Sequence, residues 1–234
     1  MNSLPRLAPF LCATLLSGAP LFAQIPGNTA VMPAPRMEEH VQKLNERAKL
    51  GGIDLLFVGD SITEGWRGGG QGIWNERFAP LNAANFGIGG DKTENLLWRL
   101  QNGNLEGLKP KVTVLMVGTN NVGRIPTDHL IEGVTTVANE ITTRLPDTKL
   151  ILMGLLPRAA TPDHPHRLQV IEVNAALAKL QDDKRIFFFD IGDKMVLPDG
   201  SISTEALPDL LHLSTVGYHI WADAIQEKVT ELMK

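Results

Sequence analysis

The chain has 234 residues and a formal net charge of −4, and 43% of its residues are hydrophobic and 21% charged, as in a single globular domain. It carries no basic stripe, which excludes the usual electrostatic footprint of a nucleic-acid-binding protein. The sequence contains neither an internal repeat nor a low-complexity tract, so repeat architectures are excluded as well.

Residues 1–23 have the pattern of a secretory signal peptide. Arg6 precedes the apolar stretch "LAPFLCATLL", which is too short to span a bilayer comfortably, and small residues lead to a cleavage point after Ala23. An uncleaved anchor and a disordered tail are the alternatives. Cys12, the single cysteine, lies in this segment, so the mature chain would lack disulfides, a thiol nucleophile and cysteine metal ligands. We therefore expect a secreted or periplasmic protein with no transmembrane span in its mature form.

Residues 24–36, "QIPGNTAVMPAPR", are rich in proline, glycine and small residues and predict a linker or an arm packed on the surface. The folded domain is then expected to comprise residues 37–234. Its first element is a helix with Val41, Leu44 and Ala48 on one side and Gly51 as the stop signal.

Five apolar runs along the rest of the chain have the length and composition of buried strands. They are residues 53–58 and the segments "LNAANFGIGG", "KVTVLMVGTNN", "KLILMGLLP" and "RIFFFDIG". Helical segments alternate with them: "TENLLWRLQNG", with Thr93 as cap and Gly103 at the end, then residues 127–145, 166–182 and 215–233. This alternation predicts a parallel five-stranded sheet covered on both faces, a three-layer α/β/α sandwich.

Ligands of such sheets bind beyond the carboxyl ends of the strands. Three polar turns follow predicted strands directly: residues 59–61, 87–91 and 118–121. We expect these turns to converge on one rim of the sheet.

Three polar segments of the chain resemble known functional motifs only in part. "GIGGDKT" suggests a phosphate loop, but it completes neither the G-x-G-x-x-G pattern nor the Walker spacing. Ser61 is not in a G-x-S-x-G elbow, because Thr63 stands where the second glycine would be. "DHPH" at 163–166 could be a metal pair, yet Pro162 and Pro165 interrupt it, which favours a solvated loop.

A serine nucleophile needs a base and an acid that orients the base. His40, His129 and His219 lie in or at the start of predicted helices, whereas His212 lies between the last strand and the last helix. Asp209 precedes it by three residues and faces the same way in a turn, so it can bind one imidazole nitrogen and leave the other for Ser61. The alternative is that Ser61 and Asp209 are helix caps and His212 is structural.

Candidate donors for an oxyanion are also present at the three turns. The Ser61 amide begins a helix, the Gly90 amide has no side chain to obstruct it, and Asn120 offers its side-chain NH₂. Each has an ordinary alternative, since glycine permits positive φ and asparagine caps turns. Their conjunction in chain order favours an active site.

The segments "GDSIT", "NFGIGGD", "GTNN" and "DLLH" resemble the four sequence blocks of the SGNH, or GDSL-type, hydrolases. The resemblance covers nearly all of residues 50–234 and is closest to the catalytic subunits of intracellular platelet-activating-factor acetylhydrolase. It implies a flavodoxin-like fold, no metal or other cofactor, and ester hydrolysis through an acyl-enzyme. It also implies roles: Ser61 is the nucleophile, His212 the base and Asp209 its orienter, with Ser61, Gly90 and Asn120 forming the oxyanion hole.

The sequence departs from this family in two places. Many members have aspartate at the position of Asn121, whereas the most similar subgroup has asparagine, as this chain does. The glycine-rich segment "WRGGGQG" at 66–72 is slightly longer than in that subgroup. Those relatives are intracellular, whereas this chain is predicted to be exported. Their lipid substrate is therefore not carried over.

The resulting prediction is a secreted serine esterase that hydrolyses short-chain acyl esters, above all acetyl esters, of a carbohydrate, a lipid or another small molecule. One alternative is a thioesterase or lysophospholipase with a longer acyl pocket. Another is a non-catalytic carbohydrate-binding module of the same fold. Because the related subunits form dimers, a homodimer is also expected.

Overall fold

A computed structural model describes residues 25–234, so the predicted signal peptide and Cys12 lie outside the described residues. Its centre is one parallel sheet with the strand order β2-β1-β3-β4-β5. The strands are β1 (Leu55–Gly59), β2 (Ala83–Gly87), β3 (Val112–Met116), β4 (Lys149–Met153) and β5 (Ile186–Phe189). This is the flavodoxin-like order, and it confirms the predicted three-layer fold.

Helices cover both faces of the sheet. They are α1 (Glu38–Lys49), α2 (Ser61–Glu64), α3 (Gln71–Arg77), α4 (Thr93–Arg99), α5 (Thr127–Arg144), α6 (Pro165–Leu177) and α7 (Thr215–Leu232). Buried side chains of α1, α4, α5 and α6 form one core, and those of α2, α3 and α7 form the other. Within the part of the chain that the structure describes, no helix is long and apolar enough to cross a membrane.

Alternation along each strand feeds the two cores. Leu56 and Val58 of β1 point into the first core, while Leu55 and Phe57 point into the second. All four side chains are fully buried, and each such burial contributes roughly 1.5–3 kcal/mol. A strand that is buried on both faces needs an apolar residue at every position, which is why the runs in the sequence are continuous.

Helix α4 differs from the sequence prediction at both of its ends. Thr93 is not the cap of α4, because Lys92 occupies the N-cap position and Thr93 is the first helical residue. Its Oγ1 instead donates to the carbonyl of Ala30, at 2.9 Å. Gly103 does not end a continuous α-helix either: α4 passes at Leu100 into one π-helical turn, in which Gly103 has φ +111°.

Residues 25–36 pack against α4 and α5. The Asn28 side chain donates to the carbonyl of His129 and to Glu132, at 2.9 and 2.8 Å, and Ala30 is fully buried. At the end of this segment Arg36 forms an ion pair with Asp91, at 3.0 Å. These contacts have the character of a packed arm, and the domain boundaries at 23 and 36 stay predictions.

The ends of β1, β2 and β3 lie at the same level of the sheet. Gly59, the last residue of β1, is in register with Gly87 of β2 and Met116 of β3. Strand β1 lies between β2 and β3, so the chain adds β2 on one side of β1 and the later strands on the other. Ligand crevices form where the order of the strands reverses in this way. The three polar turns therefore meet at one rim.

Candidate active site

The structure brings Ser61, His212 and Asp209 together at the rim. The Oγ of Ser61 lies 3.0 Å from Nε2 of His212, although the two residues are 151 positions apart. The Nδ1 of His212 lies 2.7 Å from Oδ2 of Asp209. The imidazole therefore joins the hydroxyl to the carboxylate, with one ring nitrogen on each.

The helix cap at this position is Asp60 and not Ser61. Its Oδ1 accepts a hydrogen bond from the backbone N–H of Ile62, at 3.0 Å, at the start of α2. The capping requirement of the helix is thus met by the neighbouring residue. This leaves the hydroxyl of Ser61 available to His212.

Asp209 divides its two oxygens between different tasks. Oδ1 accepts from the backbone N–H groups of Leu211 and His212, at 3.0 and 2.6 Å, while Oδ2 faces the imidazole. Burial raises the pKa of Asp209, but the hydrogen bonds from the side chain and backbone of His212 outweigh it and hold that pKa below its ordinary value. Asp209 is therefore a carboxylate at neutral pH.

The tight turn that fixes this carboxylate is unusual in its backbone. Leu210, between Asp209 and His212, has φ +62°. A leucine is strained in this left-handed region, because its Cβ crowds the following carbonyl. The two backbone hydrogen bonds to Oδ1 hold the turn in this conformation.

Asp60 differs from Asp209 in its electrostatic surroundings. Its side chain is fully buried, and this burial raises its pKa to about 7 despite the hydrogen bond from Ile62. The nearby Asp91 acts in the same direction as burial. The carboxyl group of Asp60 is therefore partly protonated at neutral pH. It adds less negative charge to the site than an ordinary aspartate would.

The three candidate oxyanion donors lie on the turns that end β1, β2 and β3. The Ser61 N–H opens α2, where an N–H has no acceptor inside the helix. Gly90 has φ +80°, and a Cβ there would lie 2.7 Å from Nη2 of Arg36. Asn120 donates one side-chain N–H to the carbonyl of Asp91, at 2.9 Å, which leaves its second N–H for a ligand.

A buried ion pair behind the rim connects these turns, and no motif in the sequence marks it. Arg99 is 1% exposed and donates through Nε to Oδ2 of Asp91, at 2.8 Å, and through Nη2 to the carbonyl of Gly59, at 2.9 Å. Asp91 in turn binds Arg36 and the side chain of Asn120. Loss of one partner from such a buried pair typically costs about 3–5 kcal/mol, so Arg99 holds the geometry of the rim.

The glycine-rich segment at 66–72 packs closely on α7. A Cβ on Gly70 would lie 2.5 Å from the ring of Trp66 and 2.9 Å from Tyr218, so a larger residue does not fit there without movement. The hydroxyl of Tyr218 donates to the carbonyl of Ile62, at 2.7 Å. The short helix that carries Ser61 is thereby braced from α7.

The "DHPH" segment lies at the start of α6. His164 is the N-cap, and its Nδ1 accepts from the backbone N–H of His166, at 3.1 Å. The helix begins at Pro165, one residue earlier than predicted. Among residues 25–234, no three His, Cys, Asp or Glu side chains come together as metal ligands.

The chain is similar in sequence to a known family of hydrolases. A model of the GDSL-like lipase/acylhydrolase family matches residues 57–220. The platelet-activating factor acetylhydrolase IB subunit alpha2 of Rattus norvegicus is 41% identical over 182 residues, covering 77% of this chain and 78% of that protein. The alpha1 subunit of Homo sapiens is 40% identical over 166 residues, 70% of each chain.

Solved structures share the fold at lower sequence identity. A GDSL-like lipase of Bacteroides thetaiotaomicron aligns with a TM-score of 0.65 at 21% identity, covering 83% of this chain and 97% of that one. An acetylxylan esterase of Geobacillus stearothermophilus aligns with a TM-score of 0.60 at 20% identity, covering 76% and 94%. These likenesses show a shared fold.

Proposed function

We propose a specific activity on the premise that this chain belongs to the GDSL-like lipase/acylhydrolase family and is a carboxylic ester hydrolase. The activity is the hydrolysis of short-chain acyl esters, above all acetyl esters, through an acyl-enzyme on Ser61. The observation that carries the proposal is the unbroken line from Ser61 Oγ through His212 to Asp209, at 3.0 and 2.7 Å.

In the first half-reaction, Ser61 Oγ attacks the carbonyl carbon of the ester while Nε2 of His212 takes the hydroxyl proton. Asp209 keeps the proton of the imidazole on Nδ1, which leaves Nε2 as the acceptor, and its charge stabilises the imidazolium that forms. The imidazolium then gives its proton to the departing alcohol, and the acyl group stays on Ser61. Water attacks this acyl-enzyme with His212 again as base, which releases the acid and restores the hydroxyl.

The developing oxyanion is bound by the Ser61 and Gly90 amides and by Asn120. Asn120 is held by the carbonyl of Asp91 before any substrate is bound, so little reorganisation is needed when the charge appears. Donors that are positioned in advance stabilise the transition state more than the bound ester.

The preference for acetyl is supported by the names of two relatives. One group is the platelet-activating factor acetylhydrolase subunits, and the other relative is an acetylxylan esterase. They act on a lipid and on a carbohydrate respectively, which is why we propose the acyl group and leave the alcohol as a carbohydrate, a lipid or another small molecule. The mechanism is proposed without a metal or cofactor, and a homodimer stays a prediction.

A series of para-nitrophenyl esters from acetyl to palmitoyl tests the acyl preference. We expect kcat/KM to be highest for the acetyl ester and to fall by about tenfold or more for long chains, because a chain that the acyl pocket cannot hold displaces the ester carbonyl from Ser61 and the oxyanion donors. Purified Ser61→Ala protein corrects for contaminating esterases. A maximum at long chains would instead indicate the lysophospholipase or thioesterase reading, and no hydrolysis at all would indicate a binding module.

We also propose that the protein is secreted or periplasmic, on the basis of the pattern in residues 1–23. Mass spectrometry of the protein made in its native host is expected to show a mature chain that begins near Gln24. An intact chain that retains Met1–Ala23 would contradict this proposal. Fractionation of the same cells gives the compartment independently.

A further inference from the structure

We propose that Arg124 and Arg158 form an anion-binding subsite beside Asn120, which favours ester substrates with a carboxylate or phosphate group on the alcohol part. This inference rests on the proposed function. An acetyl group is too small to carry a second charged group, so the anion must belong to the alcohol. The subsite would then determine which acetylated compound the enzyme prefers.

The chain topology places both arginines at the rim. Arg124 lies in the turn that follows β3, four residues after Asn120, and Arg158 follows β4. Because β4 is the neighbour of β3 in the parallel sheet, the segments beyond their carboxyl ends lie side by side. The segments that carry Arg124 and Arg158 are therefore on the side of the oxyanion hole away from Gly90, and the two side chains are near enough for the charge of Arg124 to lower the pKa of Arg158.

Arg158 is attached directly to the turn that carries Asn120. Its Nη1 donates to the carbonyl of Thr119, the residue before Asn120. The same Nη1 also lies 3.5 Å from Oγ1 of Thr119, whereas Nε and Nη2 of this half-buried guanidinium have no hydrogen-bond acceptor among residues 25–234. Arg158 thus has donors in a fixed place and capacity for another ligand.

The backbone around Arg158 is held by a second, buried arginine. Arg167 is 5% exposed and donates to the carbonyls of Arg158, Ala159 and Gly200, at 3.0, 2.8 and 3.2 Å. Ala159 has φ +69°, a conformation that these bonds maintain. These hydrogen bonds fix the backbone of the loop that carries Arg158.

Positive charge accumulates at this place without compensation. Among residues 25–234, no carboxylate lies within ion-pair distance of Arg124 or Arg158. Burial lowers the pKa of Arg158, and the positive charge of Arg124 lowers it further. Asp60 opposes this effect, but it is fully buried under the rim and its pKa is raised to about 7.

A histidine ring belongs to the same cluster of basic side chains. The ring of His166 lies directly against Gly123, where a Cβ would collide with Nε2. The ring therefore lies on the turn that carries Arg124. Burial lowers the pKa of His166, and the charges of His164 and Arg158 act in the same direction. The exposed Asp163 bonds to the side chain of Thr161 and lies near His164. In a protein with a net charge of −4, this is a local concentration of basic groups.

Uncompensated arginines beside a reacting centre are suited to bind an anion. A guanidinium binds carboxylate and phosphate through two parallel hydrogen bonds, and these charge-assisted bonds are stronger than neutral ones. An anion bound here would also relieve the repulsion between the two guanidinium groups. Carboxylate and phosphate share this chemistry, so the experiment has one arm for each.

The test compares three acetate esters of para-substituted phenols, whose substituents are a neutral carboxamide, a carboxylate and a phosphate. In Arg124→Gln we expect KM for the charged esters to rise about tenfold, while the neutral ester is unaffected, because Arg124 donates no hydrogen bond to the rest of the rim. Arg158→Lys keeps the charge but loses the planar fork, and a smaller rise in KM is expected. In the wild-type enzyme, about 0.5 M salt should reduce the preference for the charged esters.

Lys49→Gln is the matched control, because it removes one positive charge from the opposite end of the sheet, at the end of α1. A rise in KM for both charged esters supports a subsite for a single negative charge, and a rise for the phosphate ester alone supports a phosphate subsite. An equal change for all three esters, or the same change in Lys49→Gln, overturns the proposal. If the wild-type enzyme hydrolyses none of the three, the proposed function itself fails and the subsite with it.

Discussion

Replacement of Ser61 by alanine is expected to lower kcat for ester hydrolysis by about 10³-fold or more. The substitution removes the oxygen on which the proposed acyl-enzyme forms, and direct attack by water must then replace it. The side chain contributes little to the fold, because its hydroxyl bonds to the exposed His212 and the helix is capped by Asp60. Steady-state rates with para-nitrophenyl acetate, together with a thermal unfolding curve, measure both consequences.

Ser201→Ala is the control for this variant, since the hydroxyl of Ser201 bonds to Asp199 and takes no part in the triad. We expect its rate and its melting temperature to be close to those of the wild type. Retention of near wild-type activity by folded Ser61→Ala would mean that Ser61 is only a turn residue. A loss of activity that is accompanied by unfolding would be repeated with Ser61→Gly, which is also without a hydroxyl.

The second large effect is expected for Asn120→Ala, in which kcat should fall by roughly 10²–10³-fold with little change in KM. The second N–H of Asn120 binds the oxygen mainly as its negative charge develops, so the loss appears in the transition state and not in the bound ester. Asn120→Asp should be at least as impaired, because an ionised carboxylate repels the oxyanion. Both variants should still react slowly with a serine-directed organophosphonate, since Ser61 and His212 remain.

Asn102→Ala separates this effect from a loss of stability. Asn102 also donates to a backbone carbonyl, that of Trp98 at 2.7 Å, but it lies in the π-helical turn away from the rim. We expect kcat to be unchanged in this variant. If Asn120→Ala shows only a lowered melting temperature and a normal kcat, Asn120 is a turn cap and the oxyanion hole lacks this donor.

The sheet was predictable because its strands obey a simple physical rule. Residues 53–58, 112–116 and 149–153 are apolar at nearly every position, as burial on both faces requires, and their polar ends marked the rim. Helix α3 was not predicted, because its sequence follows three glycines and its amphipathic pattern is short. It forms because Trp74 and Phe78 pack against Phe57, with ring centroids 5.0 Å away in both cases.

The reactive residues of the site were predictable from the sequence, whereas the buried residues that support them were not. Ser61, Asp209 and His212 carry reactive groups in short motifs, and the structure brings all three within hydrogen-bonding distance. The supporting contacts of Arg99 and Asp91 span several elements, and a local pattern does not reveal such contacts. One signal was present: Arg99 stands among Leu96, Leu97 and Leu100, where an unpaired charge would be costly.

The contact between Ser61 and His212 joins parts of the chain that are 151 residues apart, whereas Asp209 and His212 are only three apart. Closing a loop of that length costs on the order of 4 kcal/mol of chain entropy, by the logarithmic dependence on length. The acid–base pair can therefore form locally, but the nucleophile joins it only after the sheet has closed. During refolding, helical signal should return early and catalytic activity last, because the active site is among the contacts of highest sequence separation in the molecule.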